Sequence, residues 1–191
     1  MSNPDAADDK KLLRARLSEE RKAHSRDGSV RPKLADQLRT LVAETGAHTV
    51  AAYLPFGTEP DIGGFVESAA ANGVRLIMPV SNTDGTLNWV VFDGSMSPGI
   101  FGFNEPTGEP ARLESADLIL LPASAADLGG TRLGKGKGFY DRALGQLQGS
   151  VKCAAVVYES EVLEKVPSEA HDQPVDFVVT PERIIAVGSA A

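Results

Sequence analysis

The chain reads as an α/β protein, a three-layer α/β/α sandwich with a mostly parallel central sheet, Rossmann-like in plan. Two observations predict this. Short apolar runs of strand type alternate with helical segments along most of the chain. Several of those runs, residues 118–121 (Leu-Ile-Leu-Leu) among them, are apolar at every position, as strands covered on both faces by helices are. At 191 residues, with no internal repeat and no low-complexity linker, the chain suits one domain with a sizeable core.

Residues 1–9 are polar and acidic and carry no apolar signal-peptide core. They read as a disordered N-terminal tail ahead of a single domain over 10–191. Residues 10–24 set Leu12, Leu13 and Leu17 among Lys and Arg at helical spacing, a basic amphipathic helix ended by Gly28. A second helix over 32–44 opens on Pro32, carries Leu34, Leu38, Leu41 and Val42, and is closed by Gly46. A strand over 49–54, a helix over 62–72 and a strand over 74–80 follow. Further strands are expected at 87–92, 118–121, 152–158, 177–180 and 183–187.

A net charge of -7 argues against binding nucleic acid or a membrane through the whole surface, so an anionic ligand must meet a local basic cluster. No apolar run approaches membrane-span length. Cys153 is the single cysteine, which excludes an intramolecular disulfide; in the apolar run 151–157 it reads as a buried, inert thiol. A cytoplasmic location is expected. The three histidines show no metal-ligand spacing, and neither H-E-x-x-H nor a Ser-His-Asp arrangement is evident.

The basic cluster is residues 132–141, Arg-Leu-Gly-Lys-Gly-Lys-Gly-Phe-Tyr-Asp. Three glycines at alternate positions suit neither helix nor strand; they imply a backbone with unusual φ/ψ or one that something approaches closely. Successive N–H groups in such a turn converge on anions, and Arg132, Lys135 and Lys137 add positive charge. Tyr140 and Asp141 read as the opening of a helix whose N-terminus faces the same anion. Gly129 to Lys135 satisfies the first seven positions of G-x-x-x-x-G-K-[ST], but Gly136 replaces the Mg2+-binding hydroxyl. G-x-G-x-x-G fails as well, because its last glycine falls on Phe139. The alternative is a flexible basic surface turn, with Asp141 complementing the helix dipole.

Ligands of open α/β sheets collect outside the carboxyl ends of the strands. Residues 54–59 (Leu-Pro-Phe-Gly-Thr-Glu) leave the first strand, and Leu121-Pro122-Ala123 leaves a later one. Glu59 is thus either a polar anchor at the crevice or a solvated loop residue. Asp176 opens a strand, where Asp is disfavoured, and is either functional or a turn residue after Pro174. His171-Asp172 reads as turn chemistry.

The run from Leu121-Pro122 through Asp127 and Gly130 to Arg132-Leu133-Gly134-Lys135-Gly136-Lys137-Gly138-Phe139-Tyr140-Asp141-Arg142 closely resembles the signature of the 5-formyltetrahydrofolate cyclo-ligase (5,10-methenyltetrahydrofolate synthetase) family. The resemblance extends to Lys10-Lys11-Leu12-Leu13-Arg14, to Tyr53-Leu54-Pro55 with Glu59, to residues 102–106 and to residues 172–180, nearly the whole chain from Lys10. It implies an ATP- and Mg2+-dependent cyclisation of 5-formyltetrahydrofolate, polyglutamylated or not, to 5,10-methenyltetrahydrofolate with release of ADP and phosphate. Carried over by position, residues 10–14 and 134–142 bind ATP, with Lys10 and Arg14 on its phosphates. Leu54 and Glu59 hold the folate with Phe139 and Tyr140, and Asp141 and Asp176 hold Mg2+. Arg132, Lys137 and Tyr140 are the expected catalytic groups. Phe139 stands where the family also uses Tyr and brings no hydroxyl. No partner besides small molecules is implied, and a monomer is expected.

The chemistry agrees with that inventory. A formyl oxygen leaves poorly until phosphorylated; the folate's own N10 then attacks, and no protein nucleophile is needed. Positioning and charge neutralisation are what phosphoryl transfer demands. Two rivals remain: a non-catalytic folate- or nucleotide-binding module of the same fold, and an RNA-binding domain using the basic loop and first helix. The acidic balance and the lack of a stacking-aromatic sheet motif weigh against the second.

Overall fold

The computed structural model describes residues 4–147, 149–169 and 172–188. In chain order its elements are α1 (Pro4–His24), α2 (Val30–Thr45), β1 (Thr49–Ala51), α3 (Gly63–Ala69), β2 (Arg75–Ser81), β3 (Leu87–Val91), β4 (Met96–Pro98), β5 (Asn104–Pro106), β6 (Pro110–Ala111), β7 (Leu118–Pro122), β8 (Ala125–Asp127), β9 (Arg132–Leu133), α4 (Phe139–Leu147), β10 (Lys152–Val156), β11 (Val162–Leu163), β12 (Phe177–Val179) and β13 (Ile184–Ala186).

The main sheet runs β13-β12-β10-β7-β1-β2-β3-β6. β12, β10, β7, β1 and β2 are parallel, and β13, β3 and β6 join antiparallel at the flanks. The fully apolar runs are its central strands, as expected. Side chains alternate across a strand, so each apolar run feeds two cores at once. Val50, Leu76, Met78, Leu118, Leu120, Ala154 and Val156 pack under α2 and α3. Ala51, Ile77, Ile119, Leu121, Cys153 and Ala155 pack on the other face with Leu144 and Leu147 of α4. That is the three-layer arrangement.

Helix α1 lies outside those layers. Leu17 joins Ala125, Leu133 and Val166 on a small three-stranded sheet, β11-β8-β9. Its last turns are fastened by buried Arg21, which donates to both carboxylate oxygens of buried Glu161 and to the Ala123 carbonyl. Glu161 also accepts the Tyr158 N–H at 2.9 Å. A buried charge pair so fully hydrogen-bonded fixes orientation more than it adds stability.

Residues 4–9, read as tail, are the first turns of α1. The stretch has no apolar periodicity to announce a helix, but nothing in it breaks one. Residues 1–3 lie outside the described residues. The strands β4, β5, β6, β8, β9 and β11 are two or three residues long, too short to show a period, and exist because neighbours supply their pairing. Among the described residues, no helix is long and apolar enough to cross a membrane.

Candidate active site

The chain order reverses between β1 and β7: β1 leads through α3 to β2 on one side, and β7 leads through α4 to β10 on the other. The crevice at such a switch point lies outside the carboxyl ends of the two strands. A cavity of about 540 Å³ sits there. Residues 53–56 and Glu59 follow β1, Pro122 ends β7, and α1 adds Lys10 and Arg14. Residues 132–141 form one wall. A larger hollow of about 1020 Å³ behind Leu54 and Pro55 holds Asp27, Glu59, Asp61, Glu67 and Asp93 against Arg26, Arg31, Arg75 and His24, an acidic balance unsuited to an anion.

The Gly/Lys loop is built as its glycines require. Gly136 (φ 89°) and Gly138 (φ 69°) occupy the left-handed region that side chains avoid. Arg14 donates its Nε–H to the Gly134 carbonyl at 2.7 Å, and its guanidinium carbon would lie 3.3 Å from a Cβ at Gly136. Lys10 and Arg14, four residues apart on one helix face, therefore both reach the cavity.

Each cation is already engaged. Lys10, 4 % exposed, bonds Asp172 at 2.6 Å and Glu169 at 2.9 Å. Burial works to lower its pKa, but these two carboxylates outweigh that and raise it, so the ammonium stays charged. Lys135 pairs with Glu59 at 2.7 Å, while the other Glu59 oxygen accepts the Phe56 N–H at 2.8 Å. Arg132, 4 % exposed, meets Asp141 at 2.5 Å, and its Nε has no partner among the described residues. Lys137 Nζ lies 4.8 Å over the Phe101 ring. Burial, with the Glu59 charge, pushes the Tyr140 phenol far above its usual range against a smaller opposing effect of Arg132. The phenol keeps its proton and can donate a hydrogen bond; it is no base.

An aromatic wall faces the cations. Phe103 packs 4.7 Å from Phe56 and 6.4 Å from Phe101, and Phe101 meets Phe139 edge-on at 6.3 Å. Phe56 and Phe101 remain about half exposed, at 53 % and 43 %. Exposed aromatic faces beside a polar cavity suit a flat heteroaromatic ligand.

Of the residues expected at the site, Lys10, Arg14, Leu54, Glu59, Arg132 and residues 134–141 line the cavity. Lys11, Leu12 and Leu13 do not: the helix turns Lys11 and Leu12 to solvent and packs Leu13 against the small sheet. Arg142 is outside as well. Its guanidinium is spent on the Gly85 and Lys137 carbonyls. Of the expected pair Asp141–Asp176, only Asp141 lines the cavity. Asp176 stands at the start of β12, where it takes Lys152 Nζ at 2.8 Å and the Cys153 N–H at 2.9 Å, and it does not line the cavity. The out-of-place Asp satisfies strand-end groups instead. Asp172 proves to be a cavity residue rather than plain turn chemistry, and His171 lies outside the described residues. Phe56, Phe101, Phe103, Glu105 and Glu169 were not foreseen. The Gly99-Ile100-Phe101-Gly102-Phe103 run, apolar aromatics in a glycine turn, was a signal for two of them. Nothing local marks Glu169.

Among the described residues no three His, Cys, Asp or Glu side chains could hold a metal ion by themselves. Asp141 lines the cavity, and Arg132 is bonded to only one of its two carboxylate oxygens. That suits a hard ion carried mainly by phosphates and waters, with one protein carboxylate.

The 5-formyltetrahydrofolate cyclo-ligase family profile matches residues 6–181. The chain is 35% identical to the 5-formyltetrahydrofolate cyclo-ligase of Mycolicibacterium smegmatis, over 91% of this chain and 94% of that one. An NMR structure of Aquifex aeolicus 5,10-methenyltetrahydrofolate synthetase superposes with a TM-score of 0.78 at 29% identity, covering 95% and 94% of the two chains. The fold is shared too with a 5,10-methenyltetrahydrofolate synthetase from Mycoplasma pneumoniae, with a TM-score of 0.74 at 22% identity over 91% and 99%. Sequence over nearly the full length and fold thus agree, and the chain is an enzyme of the 5-formyltetrahydrofolate cyclo-ligase family.

Proposed function

We propose that the enzyme cyclises 5-formyltetrahydrofolate to 5,10-methenyltetrahydrofolate at the expense of ATP, with Mg2+, releasing ADP and phosphate. The observation that carries this reading is one cavity uniting the Gly/Lys loop and its cations with an aromatic wall. The loop side suits a polyphosphate and the aromatic side a pterin, so the two reactants meet where the walls join.

Lys10, Arg14, Lys135 and Lys137, together with the N–H groups of residues 134–138, hold the phosphates. Leu54, Phe139 and the other ring faces cover the pterin, and Glu59 accepts its N–H groups once Lys135 turns to phosphate. Arg132 and the protonated Tyr140 stabilise charge at the transferring phosphoryl and the formyl oxygen. The formyl oxygen takes the terminal phosphoryl group of ATP, N10 attacks the formyl carbon, and the carbon–oxygen bond breaks as phosphate leaves and takes up the proton lost from N10. No protein nucleophile is required; Cys153, the single cysteine, is buried in the core under α4.

The charge balance supports the metal requirement. Five cations (Lys10, Arg14, Arg132, Lys135, Lys137) line the cavity with five carboxylates (Glu59, Glu105, Asp141, Glu169, Asp172). A near-neutral lining cannot by itself neutralise a polyphosphate. Asp141 would help the phosphates hold Mg2+, which would supply the missing positive charge.

The test is incubation with 5-formyltetrahydrofolate, ATP and Mg2+, following the near-ultraviolet absorbance of the methenyl product. Product should form only when all three are present. Binding of both substrates without product would make the chain a non-catalytic relative.

A further inference from the structure

Arg142 is outside the cavity, yet it touches the loop that forms its wall. Side chains in the first turn of a helix lean back toward its N-terminus, and Arg142 so placed covers the end of the Gly/Lys loop. Nη2 donates to the Lys137 carbonyl at 2.9 Å. Nε donates to the Gly85 carbonyl at 2.9 Å, and Nη2 is shared with the same oxygen. The guanidinium carbon lies 5.7 Å from the Phe139 ring centre.

Gly85 belongs to the tip joining β2 to β3, 57 residues away in sequence. That tip is closed by hydrogen bonds of its own. Gly85 N–H bonds the Asn82 carbonyl at 3.2 Å, Asn82 N–H bonds Thr86 at 3.0 Å, and Asp84 caps Thr86 through both its N–H and its hydroxyl. The Asp84 carboxyl is held below its usual range, by those Thr86 bonds first and by the Arg142 charge in smaller part. One planar guanidinium therefore ties a hairpin carbonyl to the carbonyl of Lys137, between the two left-handed glycines.

We propose that Arg142 is a positioning residue, clamping the phosphate-binding loop to the β2–β3 hairpin tip so that its N–H groups stay pre-organised for ATP. The proposal rests on the ATP-dependent reading above. Glycine at position 85 keeps the clamp closed. Its φ is 83°, and a Cβ there would lie 2.5 Å from Arg142 Nη2. That Nη2 is the far end of a flexible side chain, so an alanine displaces the guanidinium, while the positive φ adds a backbone strain that the thermal melt reads separately.

The test is a double-mutant cycle with Arg142→Met and Gly85→Ala, each assayed for the Michaelis constants of both substrates and for thermal stability. Arg142→Met should raise the ATP constant about tenfold, the order expected from losing charged hydrogen bonds at a partly solvated site, and leave the folate constant within about twofold. Gly85→Ala should do the same, and should add nothing in the Arg142→Met background. Arg142→Lys, which cannot bridge two carbonyls in one plane, should fall between. Equal rises for both substrates, an unchanged ATP constant, or additive effects of the two changes would overturn the clamp. If the unaltered enzyme forms no methenyl product, it is the functional reading that fails; the clamp fails only against an active parent.

Discussion

The Arg14 guanidinium donates to the Gly134 carbonyl at 2.7 Å and lies against the bare face of Gly136. A helix from the N-terminus is thereby docked on a glycine loop 120 residues later. The loop's conformation and the helix's cations are parts of one device, and this shapes what substitutions should do.

Gly136→Ala forces a side chain into φ 89° and puts a Cβ 3.3 Å from the Arg14 guanidinium. ATP affinity should fall at least tenfold by calorimetry, because both the N–H cradle and Arg14 shift. Stability without ligand should fall by only about 1 kcal/mol, the usual cost of a left-handed non-glycine residue. Unchanged affinity would mean that the loop is only a basic turn.

Lys10→Ala and Arg14→Ala should each raise the ATP Michaelis constant more than the folate one. The structure separates them in stability. Lys10 is the ammonium that Glu169 and Asp172 share in a nearly buried site, so its loss should cost about 3 kcal/mol in denaturant melts. Arg14 gives up one carbonyl bond and should cost about 1 kcal/mol.

Asp141→Asn keeps the shape and the ability to open a helix but removes a charge. Turnover should collapse, and the Mg2+ concentration giving half of any residual activity should rise. Because Arg132 is 3 % exposed at its side chain and loses its charged partner, the melting temperature should drop by several degrees too. A folded variant with normal Mg2+ dependence would leave Asp141 only its pairing with Arg132.

Burial pushes the Cys153 thiol up to about 11, reinforced by Asp176 and opposed in part by Arg132 and Lys152. The native enzyme should resist iodoacetamide at pH 7.5 and react once unfolded. A thiol near 8.5 in the unfolded chain and about 11 in the folded one gives stability that is complete below about pH 8.5. That stability is lost as pH rises toward 11. Cys153→Ala should flatten the decline over this window, as read from denaturant melts at a series of pH values.

The sequence by itself determined what is local and periodic. Fully apolar runs such as 118–121 could only be central strands, because alternation gives each run two faces to bury. Lys10 and Arg14 share a helix face by spacing alone, and three glycines in five residues announce an unusual backbone. Only the tertiary structure decided what stands opposite each group. It gave Lys10 to Glu169 and Asp172, Lys135 to Glu59, and Arg132 to Asp141. It gave Asp176 to Lys152 and the Cys153 N–H, and Arg142 to the hairpin tip. It also gathered Phe56, Phe101, Phe103 and Phe139 from three separate segments into one wall. Spacing along an element sets the direction of a side chain relative to its own backbone. The partner it meets there is set by how the elements pack, and that is decided by burial of the whole core rather than by the residues that do the chemistry.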